Sequence, residues 1–349
     1  MAGASAGTTL VVVFGGRSAE HDVSCVTAAH VIAAVDRSRN DVVAYGIDRA
    51  GSWHRVSVPE PPMRVDRLEP TGTPASPADL AAHTAAVVVP LVHGPLGEDG
   101  TLQGVCEILD LAYVGSGVLA SALAMDKAVA KRVLATAGIP QVRHAVLRED
   151  RLTADSLAAI ADDLGYPLFV KPANMGSSVG VVKVADAGAL EVAAREASSY
   201  DEWIVFEEAV VGREIEVAVI GNREPRASLP GEIVPGHEFY DYEDKYLDDG
   251  ASLSTPADLA PHATARVREL AIAAYEALHC EGMARVDFFW EEAGRGFLCN
   301  EVNTIPGFTP ISMYPRMWRA TGLDYPDLID ELVSLALERH RRRKRNTVR

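Results

Sequence analysis

Two acidic side chains occupy matching places in a pair of apolar segments. Residues 283–290 read MARVDFFW and residues 296–303 read GFLCNEVN, and the turn signal EAGR lies between them. A β-hairpin centred on Gly294 places Asp287 directly opposite Glu301. The two carboxylates would then meet on one face of the sheet.

The same register brings an amide and a guanidinium beside the carboxylate pair. Arg285 lies opposite Asn303 if Gly294 is the centre of the turn. Because side chains alternate along a strand, one face of the hairpin is predicted to carry six side chains: Arg285, Asp287, Phe289, Cys299, Glu301 and Asn303.

Opposed carboxylates repel each other, and burying them without a cation is strongly unfavourable. A hard divalent cation with oxygen ligands removes this conflict, and Mg²⁺ takes a few carboxylates while sharing phosphate oxygens and water. The pattern therefore predicts a magnesium site at Asp287, Glu301 and Asn303. The alternative is a polar stripe that faces solvent, and a register slip of one residue would turn one carboxylate away.

A glycine-rich segment provides a second place for phosphate chemistry. Residues 174–180 (NMGSSVG) join two apolar segments, and glycines let backbone N–H groups approach an anion closely. The Gly-Lys-Ser/Thr ending of a Walker A loop is missing. Lys171 ends the preceding apolar run, where a lysine is unexpected without a partner such as a triphosphate. An ordinary β-hairpin turn is the alternative for this loop.

Charged residues elsewhere are weaker candidates for nucleotide contacts. Lys127 is a further possible phosphate ligand, with an exposed helical lysine as the alternative. Glu207 and Glu214 lie on either side of Gly212, where carboxylates could accept hydrogen bonds from ribose hydroxyls or simply be solvated.

Loops that follow apolar strands are the expected place for substrate. Glu20 lies in such a loop before a helix and could bind an ammonium group, and His93 opens another. Either loop could instead serve as a helix cap. The aromatic and charged segment 238–246 lacks periodicity and is predicted to be a lid that excludes water from a reactive intermediate.

The elements that must position these residues fall into three predicted domains. Alternating strands and helices predict an open parallel α/β domain over 1–125, with residues 57–80 as a loop excursion. Four strands near 167–171, 179–184, 203–207 and 214–220 predict a small α+β domain over 126–222. A lid, a long helix over 258–279, the hairpin and a last helix to about 340 make up the third domain, 223–349.

Composition excludes several classes of protein. A net charge of −16 disfavours binding to nucleic acid, and no apolar run is long enough to span a membrane. The first residues, MAGASAGTT, lack the basic segment of a secretory signal. Four scattered cysteines without metal spacing indicate reduced core residues in a cytoplasmic protein. The basic run 339–345 is expected to be a solvated tail, with a nucleic-acid or membrane role as the alternative.

Taken together, these segments resemble the D-alanine–D-alanine ligase family of the ATP-grasp superfamily. The resemblance covers nearly the whole chain, and it implies α/β and α+β architecture with an ATP-grasp fold. The motifs that carry it, in family order, are GGRSAEHDVS (15–24), HGPLGEDGTLQG (93–104), AMDK (124–127), FVKPANMGSSVGV (169–181), FYDYEDKYL (239–247), ARVDFF (284–289) and NEVNTIPGFTPISMYP (300–315).

The resemblance implies a role for individual residues. It assigns metal binding to Asp287, Glu301 and Asn303, with two Mg²⁺ ions bridged by Glu301 and with Mn²⁺ as a possible substitute. It assigns nucleotide contacts to Lys127, Lys171, Glu207, Ala209, Val210, Glu214, Lys245 and Phe289. It assigns catalysis to Glu20, Ser177, Tyr246, Arg285 and the Gly307 backbone N–H, and substrate contacts to His93, Ser312 and Met313.

The implied reaction joins two D-alanines with ATP through an acyl phosphate. The same resemblance implies a homodimer. D-alanine–D-lactate ligation or another ATP-grasp amino-acid ligase remains an alternative, although the Lys245-Tyr246 pair is similar to the dipeptide-forming type. A nucleotide-binding regulator without catalysis is an alternative of another class.

Overall fold

The computed structural model describes residues 8–61, 65–234 and 252–344, which form three β-sheets with flanking helices. The first unit contains, in chain order, β1 (Thr8–Gly15), α1 (His21–Ala34), β2 (Asn40–Ile47), β3 (Trp53–Val56), β4 (Thr73–Ala75), a 3-10 turn (Pro77–His83), β5 (Val87–Pro90), α2 (Thr101–Ile108), β6 (Ala112–Tyr113) and α3 (Val118–Met125). Its sheet has the order β4-β3-β2-β1-β5-β6.

This first sheet confirms the open parallel arrangement predicted for the N-terminal region. Strands β2, β1, β5 and β6 run parallel, and β3 and β4 add antiparallel pairings at one edge. The segment 57–80 is therefore more than a loop excursion, because β4 pairs with the outer side of β3. Gly15 ends β1 with φ of +89°, and a Cβ there would lie 2.2 Å from the carbonyl oxygen of Ile47. Only glycine permits this turn into the loop that carries Glu20.

The chain breaks its Ala-rich helical region at Asp126. The sequence predicts one helix over 118–137, but α3 ends at Met125 and a new helix starts at Lys127. Asp126 has extended backbone angles, and its side chain accepts a hydrogen bond from the backbone N–H of Val129 at 2.9 Å. This N-cap redirects the chain and points Lys127 toward the glycine-rich loop.

The second sheet is antiparallel throughout and has the order β7-β10-β8-β9. Two helices cover it with a small apolar core that includes Leu157, Leu190 and Phe206. The elements of this unit are α4 (Lys127–Thr136), β7 (His144–Arg148), a 3-10 turn (Glu149–Arg151), α5 (Ala154–Leu164), β8 (Leu168–Pro172), β9 (Val182–Val184), α6 (Ala187–Ser198) and β10 (Trp203–Glu208).

The third sheet carries the predicted hairpin and has the order β14-β13-β11-β15-β16, with β12 also paired to β11. Val267, Ala271 and Ala274 on one stripe of its long helix are fully buried, as the helical periodicity predicts. Its elements are β11 (Arg213–Gly221), β12 (Arg226–Ala227), β13 (Gly231–Val234), β14 (Ser252–Ser254), α7 (Pro261–Ala277), β15 (Gly282–Glu291), β16 (Gly296–Asn303), α8 (Met313–Ala320) and α9 (Tyr325–Lys344).

One strand lies in a different sheet from the one predicted. The segment 214–220 was expected to complete the small central sheet, but β11 pairs with β15 along nine residues of the third sheet. Strand β7 takes its place beside β10. Gly212 between β10 and β11 therefore marks a crossing from one sheet to the next, not a hairpin turn. The domain limits at 125 and 222 stay a prediction.

The basic run near the end of the sequence is helical and paired, so the prediction of a solvated tail after the last helix is wrong through Lys344. Arg342 and Arg343 form ion pairs with Glu281 and Glu107. Lys344 lies 3.0 Å from a carboxylate oxygen of Asp110. Along the described ranges, no helix combines the length and apolar character that a bilayer crossing requires.

Arg339 makes the most buried of these contacts. Arg339 is 2% exposed, and its guanidinium donates to the backbone carbonyls of Tyr113 and Gly115. The group also lies 4.1 Å from the centroid of the Tyr113 ring, which adds a cation–π contact. These contacts therefore pack helix α9 against the end of β6 in the first sheet.

Arg339→Ala is expected to lower the free energy of unfolding by about 2–4 kcal/mol, because two buried carbonyl groups lose their donors. Urea denaturation followed by tryptophan fluorescence measures the change. Arg341→Ala is the matched control, since Arg341 is exposed on the same helix. Equal losses of stability in the two variants would contradict the role given to Arg339.

Candidate active site

The hairpin β15–β16 has the predicted register at the end that carries Asp287 and Glu301. Asp287 pairs with Glu301, and Arg285 pairs with Asn303. A β-bulge follows, because Phe288 pairs with Cys299 and Asn300 is skipped. The register nearer the turn is therefore shifted by one residue.

The bulge corrects one part of the predicted face. Cys299 was expected to share the face of Asp287, but it pairs with Phe288, and both belong to the same buried apolar core. Phe289 instead lies opposite Leu298 on β16 and opposite Glu214 on β11. Burial raises the pKa of the Cys299 thiol to about 12, so the thiol stays protonated.

Three carboxylates form a row across neighbouring strands. Glu216 on β11 pairs with Asp287 on β15, which pairs with Glu301 on β16. Glu216 is 4% exposed and Asp287 is 9% exposed, so the first two are buried. The sequence analysis missed Glu216, although the alternation in EIEVAV places it on the same face as Glu214.

Arg285 is the cation that this acidic row surrounds. Its Nε and Nη2 each donate to an oxygen of Asp287 at 2.7 Å, and Nε lies 3.2 Å from Oε1 of Glu216. Burial alone would lower the pKa of Arg285, but Asp287 and Glu216 raise it well above its ordinary value. The guanidinium is permanently charged and held in a fixed plane.

This arrangement fits a small hard cation. Asn303 Nδ2 donates to Oδ2 of Asp287 at 2.9 Å, and Glu301 lies opposite Asp287 on β16, so an amide and two carboxylates are neighbours. Within the described residues no three His, Cys, Asp or Glu side chains are grouped so that they alone could hold a metal ion. Mg²⁺ needs no such group, because it keeps water and phosphate oxygens among its ligands. Asp287, Glu301 and Asn303 would hold it.

A second buried charge cluster lies on the central sheet. Glu207 is 2% exposed, and its two carboxylate oxygens lie 2.7 Å from Nζ of Lys131 and 2.6 Å from Nζ of Lys171. Burial acts to raise the pKa of Glu207, but the two lysines lower it far below its usual range. Lys131 was missed by the sequence analysis, because a lysine on an amphipathic helix normally faces solvent.

Lys127 holds the glycine-rich loop. Its Nζ donates to the carbonyl oxygen of Met175 at 2.6 Å. Ser177 and Ser178 in this loop have φ of +50° and +57°, a left-handed conformation that is strained for residues other than glycine. Such a turn directs backbone N–H groups to one side, as an anion-binding loop requires.

Loops from two different sheets converge on Glu20. A Cβ added at Gly176 would lie 3.1 Å from Oε2 of Glu20, and one added at Gly94 would lie 3.6 Å from the same oxygen. The glycine-rich loop of the second sheet and the first-sheet loop that follows β5 therefore both pack against this carboxylate. An ammonium group bound by Glu20 would lie close to Ser177 and His93.

His93 connects this region to the loop that follows the hairpin. Its Nδ1 lies 3.1 Å from the carbonyl oxygen of Ile305 and 3.3 Å from Oε1 of Glu98, so Nδ1 carries the hydrogen. Burial lowers the pKa of His93, but Glu98 and Glu20 outweigh that effect and raise it. Nε2 is buried and has no hydrogen-bond partner in the part of the chain that the structure describes.

The segment after the hairpin brings Ser312 close to Gly307 and Thr309. Ser312 Oγ accepts a hydrogen bond from the backbone N–H of Thr309 at 3.1 Å, and it would lie 3.3 Å from a Cβ at Gly307. Ser312 is also the N-cap of α8, whose first turn attracts a carboxylate. The Met313 side chain is buried in the apolar core, so only its backbone faces such a ligand.

Comparison with known proteins decides the family. The model "D-ala D-ala ligase N-terminus" matches residues 9–116, and "D-ala D-ala ligase C-terminus" matches residues 133–334. The chain belongs to the D-alanine–D-alanine ligase family. Members of this family are ATP-dependent enzymes that form ADP and generally use a divalent metal.

Named relatives agree over nearly full length. A D-alanine–D-alanine ligase from Kineococcus radiotolerans is 48% identical over 95% of this chain and 96% of its own. D-alanine–D-alanine ligase A from Salmonella typhimurium is 46% identical over 94% and 95%. Among solved structures, the Coxiella burnetii D-alanine–D-alanine ligase matches with a TM-score of 0.82 at 34% identity, covering 98% of this chain and 97% of its own.

The VanG D-Ala:D-Ser ligase from Enterococcus faecalis matches with a TM-score of 0.83 at 32% identity, covering 95% of this chain and 99% of its own. These matches confirm the ATP-grasp architecture that the sequence analysis inferred from resemblance. The roles of the individual site residues remain predictions.

Four further residues that the family resemblance assigns to nucleotide contacts lie in the described structure: Ala209, Val210, Glu214 and Phe289. Ala209 donates its backbone N–H to Pro167 at 3.1 Å, and Val210 follows it in the link between β10 and β11. Glu214 lies opposite Phe289 across the β11–β15 pairing. Lys245 and Tyr246 lie outside the described residues, as does the whole of the predicted lid over 238–246.

Glu301→Gln is expected to weaken Mn²⁺ binding in the presence of ADP by roughly tenfold or more. Loss of a residue that hydrogen-bonds a metal ligand already weakens metal affinity by about that factor, and loss of the ligand itself should weaken it at least as much. Electron paramagnetic resonance of bound Mn²⁺ measures this directly, and Mg²⁺-dependent ADP formation should disappear with it. Glu291→Gln is the control on the same hairpin, where Glu291 pairs with Arg295 at 2.7 Å. Wild-type Mn²⁺ affinity in Glu301→Gln would overturn the metal assignment.

Proposed function

We propose that this chain joins two molecules of D-alanine into D-alanyl-D-alanine, with conversion of ATP to ADP and phosphate, to supply a peptidoglycan precursor. The observation that carries the proposal is the acidic pair Asp287–Glu301, in register beside Arg285. Carboxylates that bind a cation at one point let that cation neutralise the charge that develops during phosphoryl transfer. The ligase-family relatives at 45–49% identity agree with this reaction.

The chemistry explains why such groups are needed. A carboxylate is a poor electrophile, and phosphorylation by ATP converts it into an acyl phosphate that an amine attacks. Two Mg²⁺ ions, or Mn²⁺ in their place, would neutralise the charge on the transferring phosphoryl group when bound at Asp287, Glu301 and Asn303. Lys127 contacts the glycine-rich loop, and Lys171 lies on the strand that precedes it. Both lysines would bind the phosphates.

Substrate binding would divide between the region around Glu20 and the region around Ser312. Glu20 would bind the ammonium group of the first D-alanine, and buried Nε2 of His93 would accept or donate a hydrogen bond there. Ser312 and the first turn of α8 would bind the carboxylate of the second D-alanine. Attack by the second amine forms a tetrahedral oxyanion, for which Arg285 and the Gly307 backbone N–H are the donors.

Two further proposals complete this view of the ligase. Ser177 and Tyr246, in a hydrogen-bonded set with Glu20, would close the lid over the intermediate and exclude water. We also propose a homodimer that works in the cytoplasm, where ATP is available.

The second substrate is the point at which the relatives differ. The VanG structure is named a D-Ala:D-Ser ligase, and its fold matches this chain as well as that of a D-alanine–D-alanine ligase does. D-serine or D-lactate as the second substrate is therefore the second candidate. A regulator without catalysis has no need of a metal site with a buried arginine beside it.

Release of ADP with D-alanine as the sole amino acid is expected, and mass spectrometry should identify D-alanyl-D-alanine. When D-serine or D-lactate is added at equal concentration, D-alanyl-D-alanine should remain the main product. A mixed product in excess would support the second candidate. ATP hydrolysis that needs no amino acid, or no hydrolysis at all, would contradict the ligase proposal.

Arg285→Ala is expected to lower kcat by roughly 10²–10³-fold, the usual effect of removing one oxyanion donor. ATP affinity should change far less, because Arg285 contacts Asp287 and Glu216 and not the lysines of the nucleotide region. Steady-state kinetics and ATP titration measure the two quantities separately. Loss of ATP binding with kcat preserved would show that the assigned role is wrong.

A further inference from the structure

Lys131 is a buried ammonium group that cannot reach a ligand directly. Its side chain is 2% exposed, whereas that of Lys171 is 12% exposed. Both groups contact the same carboxylate, Glu207, which is itself 3% exposed. Lys131 comes from helix α4, Lys171 from β8 and Glu207 from β10, so the contact joins three elements.

The Glu207 carboxylate contacts two ammonium groups, so it keeps one cation if the other moves away. Lys171 is the more exposed of the two lysines and is therefore the one that can move. Burial acts to lower the pKa of Lys171, but the charges of Glu207, Glu301 and Glu214 raise it, so Lys171 stays a cation.

We propose that Lys131 is a positioning residue that neutralises and holds Glu207, so that Lys171 can leave Glu207 and bind a phosphate of ATP. The proposal rests on the proposed ligase function, in which Lys171 contacts the nucleotide phosphates.

When Lys171 moves to a phosphate, it leaves the buried Glu207 carboxylate behind. If Lys131 were absent, movement of Lys171 to a phosphate would leave Glu207 buried without a cation, which is strongly unfavourable. Lys171 would then stay on Glu207, and the phosphates would lose a positive partner. With Lys131 at 2.7 Å, Glu207 keeps one cation whether or not Lys171 moves.

The affinity for the phosphates and the affinity for the rest of the nucleotide should therefore respond differently to the loss of Lys131. In Lys131→Met, Lys171 stays on Glu207 and keeps that carboxylate paired, so a contact of Glu207 with adenosine is retained and only ligands that carry phosphates should bind less tightly. A residue that merely supports the fold would weaken adenosine and ATP alike. The ratio of ATP affinity to adenosine affinity therefore distinguishes a positioning role from a structural one.

The test uses Lys131→Met, which keeps the length of the side chain and removes its charge. Isothermal titration with Mg²⁺ present measures binding of a non-hydrolysable ATP analogue, ADP and adenosine. The variant is expected to lose roughly 10- to 100-fold in affinity for ATP analogue and ADP, with adenosine unchanged within about twofold. Lys131→Arg should recover most of the loss, because it restores a cation.

Two further variants complete the design. Arg132→Met, on an exposed neighbour in the same helix, should leave all three affinities at wild-type values. Lys131→Met/Glu207→Gln removes both charges with little change in shape, so Lys171 is no longer held. The ratio of ATP affinity to adenosine affinity should then return close to that of Glu207→Gln alone.

The outcomes separate this inference from the function on which it rests. Equal weakening of adenosine and ATP in Lys131→Met, or no weakening at all, would overturn the positioning role. A double variant as poor in phosphate binding as Lys131→Met would refute the movement of Lys171. If wild-type protein bound neither ATP analogue nor adenosine, the ligase proposal itself would fail.

Discussion

Buried charge that must be matched by opposite charge is the constraint on which this structure depends. Glu207 is held between two lysines, Arg285 lies between Asp287 and Glu216, and Arg339 is enclosed by backbone carbonyls. Apart from the Arg285–Asp287 contact within β15, these contacts join different elements of the chain. Because a single unmatched charge in such a place is so unfavourable, the same contacts that organise the site also fix how its strands and helices meet.

The residues that are predicted to act in binding and catalysis therefore also hold the structure together. Asp287 forms a paired contact with Arg285 in addition to its predicted role at the metal, and Lys171 contacts Glu207 in addition to its predicted role at phosphate. A ligand that binds here replaces existing partners and does not fill an empty space. Affinity then depends on what remains for the partner that is left behind.

Local pattern was enough to predict several features of the fold and site. The apolar stripe of α7 and the opposition of Asp287 and Glu301 follow from side-chain periodicity and turn position. The bulge at Asn300 could not be predicted, since it depends on packing of Phe288 and Cys299 in the core. Sheet membership of β11 was equally hidden, because Gly212 has the local signal of a hairpin turn although the chain crosses between sheets there.

The buried lysine and arginine residues were missed for a different reason. Lys131 and Arg339 lie on helices whose local sequence is typical of an exposed face, and their partners come from distant strands. Charge alone predicts exposure, and only the three-dimensional contacts show why these side chains are buried.

The contact between Arg339 and the end of β6 also has a consequence for the order of assembly. Helix α9 is synthesised after every other described element, yet it supplies the donors for carbonyl groups at Tyr113 and Gly115 in the first sheet. During translation that edge of the sheet has to remain solvated until α9 leaves the ribosome. The N-terminal unit, although made first, therefore completes its hydrogen bonding only when the C-terminal helix reaches it.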